Sequence, residues 1–312
     1  MPFELATVPD RLIDAARHRN LVPLLGAGIS RQAKKSAFPN WRELLDFLIE
    51  RALVRKYIKK PEGKEMSRLL DKGNYLMVAE QLRYNLPTDE YTSLLKEAFN
   101  PTGAQPTEIH KAIFRLNAPL ILTTNYDLLI EDAYAKVYGK TANVYTYRGA
   151  SEVQQSLQIR QLTDRPIIFK LHGSIDEPSS IILTEQDYRK LIYQEQGYRT
   201  VLSAVFVTHV VLMIGFSFSD RELTLMLESL RVSLKSQSSP DYIFLPEDTT
   251  GEVESRRFRE DFGVEVIPFK PTKGYPEVLQ LINYLISKAG PKNKTGPKKK
   301  AGAKKKAASK KR

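Results

Sequence analysis

Four apolar runs in this chain each end in a short cluster of glycine, hydroxyl, amide or imidazole residues. Leu21–Leu25 leads into Gly26-Ala27-Gly28-Ile29-Ser30, and residues 120–122 lead into Thr123-Thr124-Asn125-Tyr126-Asp127. Residues 167–169 lead into Lys170-Leu171-His172-Gly173-Ser174, and Val210–Ile214 leads into Gly215-Phe216-Ser217-Phe218-Ser219-Asp220. Short apolar runs closed by glycine or polar breaks read as parallel strands buried on both faces. In open α/β sheets, ligands bind in the crevice outside the carboxyl ends of such strands. The expected fold is therefore α/β, a Rossmann-like, mostly parallel sheet, with the four clusters gathered at one site.

The remaining pattern fills in the layers. Residues 8–20 predict a helix on Leu12, Ile13 and Ala16. Asn40 and Glu43 have capping-box spacing ahead of a helix whose apolar face is Leu44, Leu45, Leu48 and Ile49. Residues 57–118 carry helical patterns and few strand patterns, which predicts a helical insertion between the first two strands, a lid or small subdomain. A helix is expected over 127–138, a strand and a connector over 141–165, and helices over 184–194 and 198–208. Residues 241–245 and 264–269 read as the last strands, and 275–287 as a closing helix.

The formal net charge of +12 is not spread over the chain. Residues 288–312 hold eleven Lys, one Arg and no acid, so residues 1–287 are net neutral. The expected organisation is one catalytic domain over 1–287 and a low-complexity, disordered Lys-rich tail over 288–312. The tail lacks aromatics for base stacking, so its expected nucleic-acid contact is nonspecific phosphate neutralisation. The absence of cysteine excludes disulfides, Cys-based zinc sites and a thiol nucleophile, and no metal is expected. No apolar stretch approaches the roughly 20 residues of a membrane span. The first 20 residues carry acids and no signal-like apolar core, so a cytoplasmic, membrane-free protein is expected.

Each cluster has a chemical and a purely structural reading. Gly26 and Gly28 allow close backbone approach, and N–H groups past the strand can hold a phosphate. Arg31 stands where a dinucleotide fingerprint needs a small residue, and no Gly-Lys-Ser/Thr follows, so the turn is neither an ordinary hydride-transfer motif nor a P-loop. A tight turn without ligand is the alternative. Asn125 can orient a water or a ribose hydroxyl, and Asp127 lies beside it; either could instead cap the next helix. His172 is the one of four histidines in a Gly-flanked turn past an apolar strand, placed for general-base work or for stabilising that turn. His18, His110 and His209 read as structural or solvated. Ser217 can bind a phosphate or ribose oxygen, and Asp220 reads as a helix cap.

Taken in order, GAGIS, TTNYD, KLHGS and GFSFSD resemble the sirtuin-like fold, specifically the prokaryotic sirtuin-like domains of anti-phage defence, over most of residues 20–270. The resemblance implies that Gly26, Ala27, Gly28, Ser30, Gly215 and Ser217 hold NAD, with Thr124 counted among the dinucleotide contacts. It implies that Asn125 and Asp127 line the nicotinamide-ribose pocket and that His172 is the catalytic base. Protein-deacylating sirtuins carry a four-Cys zinc module between the catalytic His and the Gly-Ser motif; here 42 residues lie between His172 and Gly215, none of them Cys. Thr124 replaces the usual Gln, and the Pro-Asp-Phe-Arg segment after the first motif is missing. The resemblance thus implies an NAD hydrolase giving nicotinamide and linear or cyclic ADP-ribose, a gated effector that depletes NAD. It also implies a homo-oligomer or a sensor partner, an ATPase or Argonaute-like protein, with 57–118 as the lid or assembly surface. The alternatives are an NAD-dependent deacylase or ADP-ribosyltransferase, and a non-catalytic nucleotide- or nucleic-acid-binding module.

Overall fold

The computed structural model describes residues 8–33, 38–158, 165–217, 221–233 and 240–290. The chain runs α1 (Asp10–Arg17), β1 (Leu21–Leu25), α2 (Ala27–Ser30), α3 (Trp41–Val54), α4 (Lys60–Asp71), α5 (Tyr75–Asn85), α6 (Thr88–Phe99) and α7 (Glu108–Ile113). It continues through β2 (Leu120–Thr123), α8 (Leu129–Tyr138), β3 (Val144–Thr146), α9 (Ala150–Gln158), β4 (Ile167–Lys170), α10 (Glu185–Gln194) and α11 (Gln196–Thr208). The last elements are β5 (Val210–Ile214), α12 (Arg221–Ser233), β6 (Asp241–Pro246), α13 (Glu252–Arg257), β7 (Val264–Phe269) and α14 (Pro276–Ala289).

The described strands form one seven-stranded sheet in the order β3-β4-β2-β1-β5-β6-β7, every neighbouring pair parallel. From β1 the chain first builds outward through β2 and β4, then returns to build the other half from β5. The switch point therefore lies between β1 and β5, where a doubly wound sheet opens its crevice. All five residues of β1 and of β5 are buried, which is why both read as unbroken apolar runs.

Alternation along each strand divides the core. Leu21 and Leu25 face a layer with Leu12 of α1, Ile113 of α7 and Leu281 of α14; Val22 and Leu24 face the opposite layer, with Val153 of α9, Leu202 of α11 and Leu227 of α12. Pro23 sits inside this central strand without harm. The Gly26 N–H points to Ile214 O, so by alternation Pro23 turns its missing donor toward β2, whose register with β1 starts only at Leu24.

A third cluster belongs to α3–α6, where Leu48, Val78, Leu82 and Leu94 are fully buried. The predicted capping box opens α3: Asn40 Oδ1 accepts from Glu43 N–H, and Glu43 Oε2 accepts from Asn40 N–H. The helices expected over 57–118 are present, but their packing divides them. Those of α4–α6 join α3, whereas Ile109, Ala112 and Ile113 of α7 pack in the sheet layer beside α8 and α14. Within 141–165 the structure adds α9 to the expected strand, with Val153 buried against the sheet. The closing helix takes up Lys288 and Ala289, and Arg17 donates to Lys288 O. Residues 291–312, the bulk of the expected tail, lie outside the described residues.

Candidate functional site

The turns after β1 and β5 interlock. Gly26 N–H donates to Ile214 O at 3.0 Å, and Gly28 N–H donates to Gly215 O at 2.9 Å. A Cβ on Gly28 would stand 2.8 Å from Gly215 Cα, closer than real side chains approach. Gly215 itself has φ +62°, a left-handed conformation suited to glycine, and a Cβ there would stand 2.7 Å from Ile29 N. These glycines bring two backbones together at the switch point. Two N–H groups that could have faced a phosphate are committed to the neighbouring turn instead. Ala27 is exposed beside them, and so is Ser217, past the buried Phe216. Residues 218–220, including the expected cap Asp220, lie outside the described residues.

The turn after β2 is tied to the first through side chains. Thr124 N–H and Thr123 Oγ1 both donate to Leu25 O, and Asn125 N–H donates to Thr123 Oγ1. Asn125, 8% exposed, donates from Nδ2 to Gly26 O at 3.0 Å and to Ser30 Oγ at 2.8 Å. Ser30 Oγ in turn donates to Asp127 Oδ2 at 2.5 Å. Asp127 Oδ1 accepts at 3.0 Å from the N–H of Leu129, the first residue of α8. Burial raises the Asp127 carboxyl above its ordinary pKa, opposed by the Ser30 hydrogen bond and the nearby Lys170 charge. Asn125 does not cap; its amide hydrogens are spent across the crevice, which leaves Oδ1 as its acceptor.

The turn after β4 is stitched to the turn after β2. Leu171 N–H donates to Thr123 O, Ile175 N–H to Tyr126 O, and Tyr126 OH to Ile182 O. His172 is 3% exposed; its ring meets Tyr188 edge to face at 5.5 Å, and its carbonyl accepts from Ile182 N–H. Gly173 has φ +88°, and Ser180 packs where a side chain would project. Ser180 Oγ accepts from Ser174 N–H at 3.0 Å and closes that loop. The other described histidines have local roles. His110 is fully buried, with Nδ1 on Thr107 and its pKa pushed down to about 4 by burial, so its solvated reading gives way to the structural one. His18 and His209 bond residues of their own helix ends.

Hydrogen bonds thus join the first, second and fourth clusters directly, and the third to the second. Three contributors were not assigned a part from the sequence. Ser180 and Tyr188 lie in loop and helix sequence with no motif signal. Lys170 ends an apolar run, where lysine ordinarily reads as a solvated strand end, yet it is fully buried here. Among the described residues no group of three or more His, Asp or Glu is placed to hold a metal ion. Among them also no helix is long and apolar enough to cross a membrane.

Comparison with known proteins bears on this crevice. Residues 119–267, which contain the second, third and fourth clusters, match the model of the SIR2-like domain. The chain is similar to the NAD(+) hydrolase ThsA of Acinetobacter baumannii, 26% identical over 236 residues, covering 75% of this chain and 44% of that protein. It is 28% identical over 191 residues to the NAD(+) hydrolase ThsA of Bacillus cereus, covering 56% of this chain and 38% of that one. It is 24% identical over 264 residues to Defense-associated sirtuin 2 of Bacillus subtilis, covering 82% of this chain and 24% of that protein. The chain spans less than half the length of these curated relatives.

Proposed function

We propose that this chain, which carries a SIR2-like domain across residues 119–267, cleaves the nicotinamide–ribose bond of NAD with water. The observation that carries the reading is the buried relay from Asn125 through Ser30 to Asp127, which spans two strand-end turns at the switch point of the sheet. The relatives named as NAD(+) hydrolases support it.

In this reading NAD lies across the carboxyl ends of β1 and β5. The crossed glycine turns, with Ala27, Ser217 and the Thr124 edge, form the wall against the dinucleotide. The C1′–N bond breaks, nicotinamide leaves with the electron pair, and the ribose carbon passes through an oxocarbenium-like state. Water adds to that carbon, and its proton passes to His172. Asn125 accepts from the water or a ribose hydroxyl through Oδ1, because its two amide hydrogens are held by Gly26 O and Ser30 Oγ. Ser30 and Asp127 fix that amide. The products are nicotinamide, ADP-ribose and a proton; an internal nucleophile in place of water gives a cyclic isomer. No metal enters these steps.

The relative named Defense-associated sirtuin 2 supports a defence role. A free NAD hydrolase drains its own cell, so the chain acts as a gated effector of anti-phage defence in the cytoplasm. It is released by homo-oligomer assembly or by a sensor partner, an ATPase or Argonaute-like protein. The test is to incubate the purified chain with NAD, with and without an acyl-lysine peptide, and separate the products. Nicotinamide and ADP-ribose in equal amounts without peptide support the reading. Turnover only with the peptide would make the chain a deacylase, and NAD binding without turnover, in the concentrated, assembled chain as well as the dilute one, a non-catalytic module.

A further inference from the structure

Lys170 is the last residue of β4 and 0% exposed, an expensive place for an ammonium group. It is satisfied by three oxygens of one neighbouring segment. Nζ donates to Asp127 O at 2.6 Å, to Glu131 Oε1 at 2.7 Å and to Tyr126 O at 3.2 Å. Two of the three are main-chain carbonyls of the turn that carries Asn125. The third is a side chain on the first turn of α8, where an acid also suits the helix dipole. Burial raises the Glu131 carboxyl above its ordinary pKa, and the adjacent Lys170 charge opposes that rise.

We propose that Lys170 and Glu131 form a positioning clamp that fixes the Asn125 turn against the strand leading to His172. Lys170 stands two residues before His172, and its ammonium holds the carbonyls of the two residues that directly follow Asn125. The relation of the two candidate reacting groups is therefore set in part by this side chain, beyond the sheet and the main-chain contacts between the two turns. The β2–β4 ladder ends at Thr123 and Lys170, so past that point the turn is tied to the β4 side by the Leu171 and Ile175 N–H groups, the Tyr126 hydroxyl and the clamp. Neither clamp residue reaches the substrate. Were stability the pair's only task, replacing both partners by neutral groups would leave exchange protection and turnover intact.

The kinetic arm of the test rests on the NAD-cleaving reading; the exchange arm does not. Lys170→Met, Lys170→Arg and the neutral double variant Lys170→Met/Glu131→Gln are compared with the full chain. The readouts are melting, amide hydrogen exchange over residues 124–131, and kcat and KM for NAD. Lys170→Met is expected to lose exchange protection over 124–131 and to lower kcat by about 10²-fold, the scale of a small misplacement of reacting groups, with KM nearly unchanged. Lys170→Arg recovers most of both. The double variant strands no charge, so it regains melting temperature while kcat and protection stay low. It also decides the matter should the single variant fail to fold. Wild-type protection and kcat in the double variant would overturn the clamp. If the wild-type chain cleaves no NAD even when assembled at high concentration, the reading of the site fails, and exchange alone judges the clamp.

Discussion

Asp241 stands at the start of β6 and is 7% exposed, with Oδ1 accepting from Val211 N–H at 2.7 Å. Burial dominates that hydrogen bond and the Arg11 charge, and pushes its pKa from 3.8 up to about 8. The folded chain therefore holds a proton that the unfolded chain has released. Stability is greatest below the ordinary carboxylate value, falls as pH rises between 3.8 and about 8, and levels above that. Asp241→Asn keeps an acceptor for Val211 and has no charge to bury. It should melt higher than wild type at pH 8 and alike near pH 4; an unchanged difference across that range would place the shift elsewhere. At the site, what the sequence displayed was residue type at strand ends: Asn125, Asp127, His172 and the glycines were all named. What it withheld was partnership. Whether Asn125 caps a helix or reaches Gly26 depends on residues about a hundred positions away, and local spacing carries no such information.

The strands were legible because a parallel strand buried on both faces has to be nearly all apolar; β1 and β5 are apolar throughout, and β2 and β4 up to their last residues, Thr123 and Lys170. Helices were legible as helices but not by layer. Ile109, Ala112 and Ile113 in α7 repeat at the same period as the apolar residues of α5 and α6, yet they cover the sheet. Helix α9 was missed because its buried face is little more than Ala150 and Val153. The α3–α6 cluster matters for the site because its core includes Leu129, the first residue of α8 after the second turn, and Ile175, Ile181 and Leu183 of the loop after β4. Leu94→Ala, at a fully buried position in α6, should cost about 2–5 kcal/mol. It should also weaken exchange protection over 126–129 and 175–183. Loosening confined to α3–α6 would show that these helices do not brace the turns.

Charge is segregated along the whole chain. Residues 1–290 carry a net charge of only +1, because eleven of the basic residues lie in 291–312. Lys288 belongs to α14, and Arg17 donates to its carbonyl, so a clean truncation ends after Gly290. That truncation should abolish nonspecific duplex-DNA binding, whose log–log salt slope is about −0.9 per phosphate contact, and leave the melting curve intact. DNA binding retained at matched salt would move the contact to the folded body. In the proposed reaction Asn125 and His172 carry NAD cleavage. The most direct measurement follows nicotinamide release from ring-labelled NAD with enzyme in excess, for the wild-type chain, Asn125→Ala and His172→Ala, each checked by circular dichroism. Asn125→Ala leaves Gly26 O and Ser30 Oγ short of a donor, so a small drop in melting temperature is expected. Both variants should stay folded and release nicotinamide at least about 100-fold more slowly than wild type, the lower scale of a positioned acid–base group. Release at the wild-type rate by either folded variant would contradict the account.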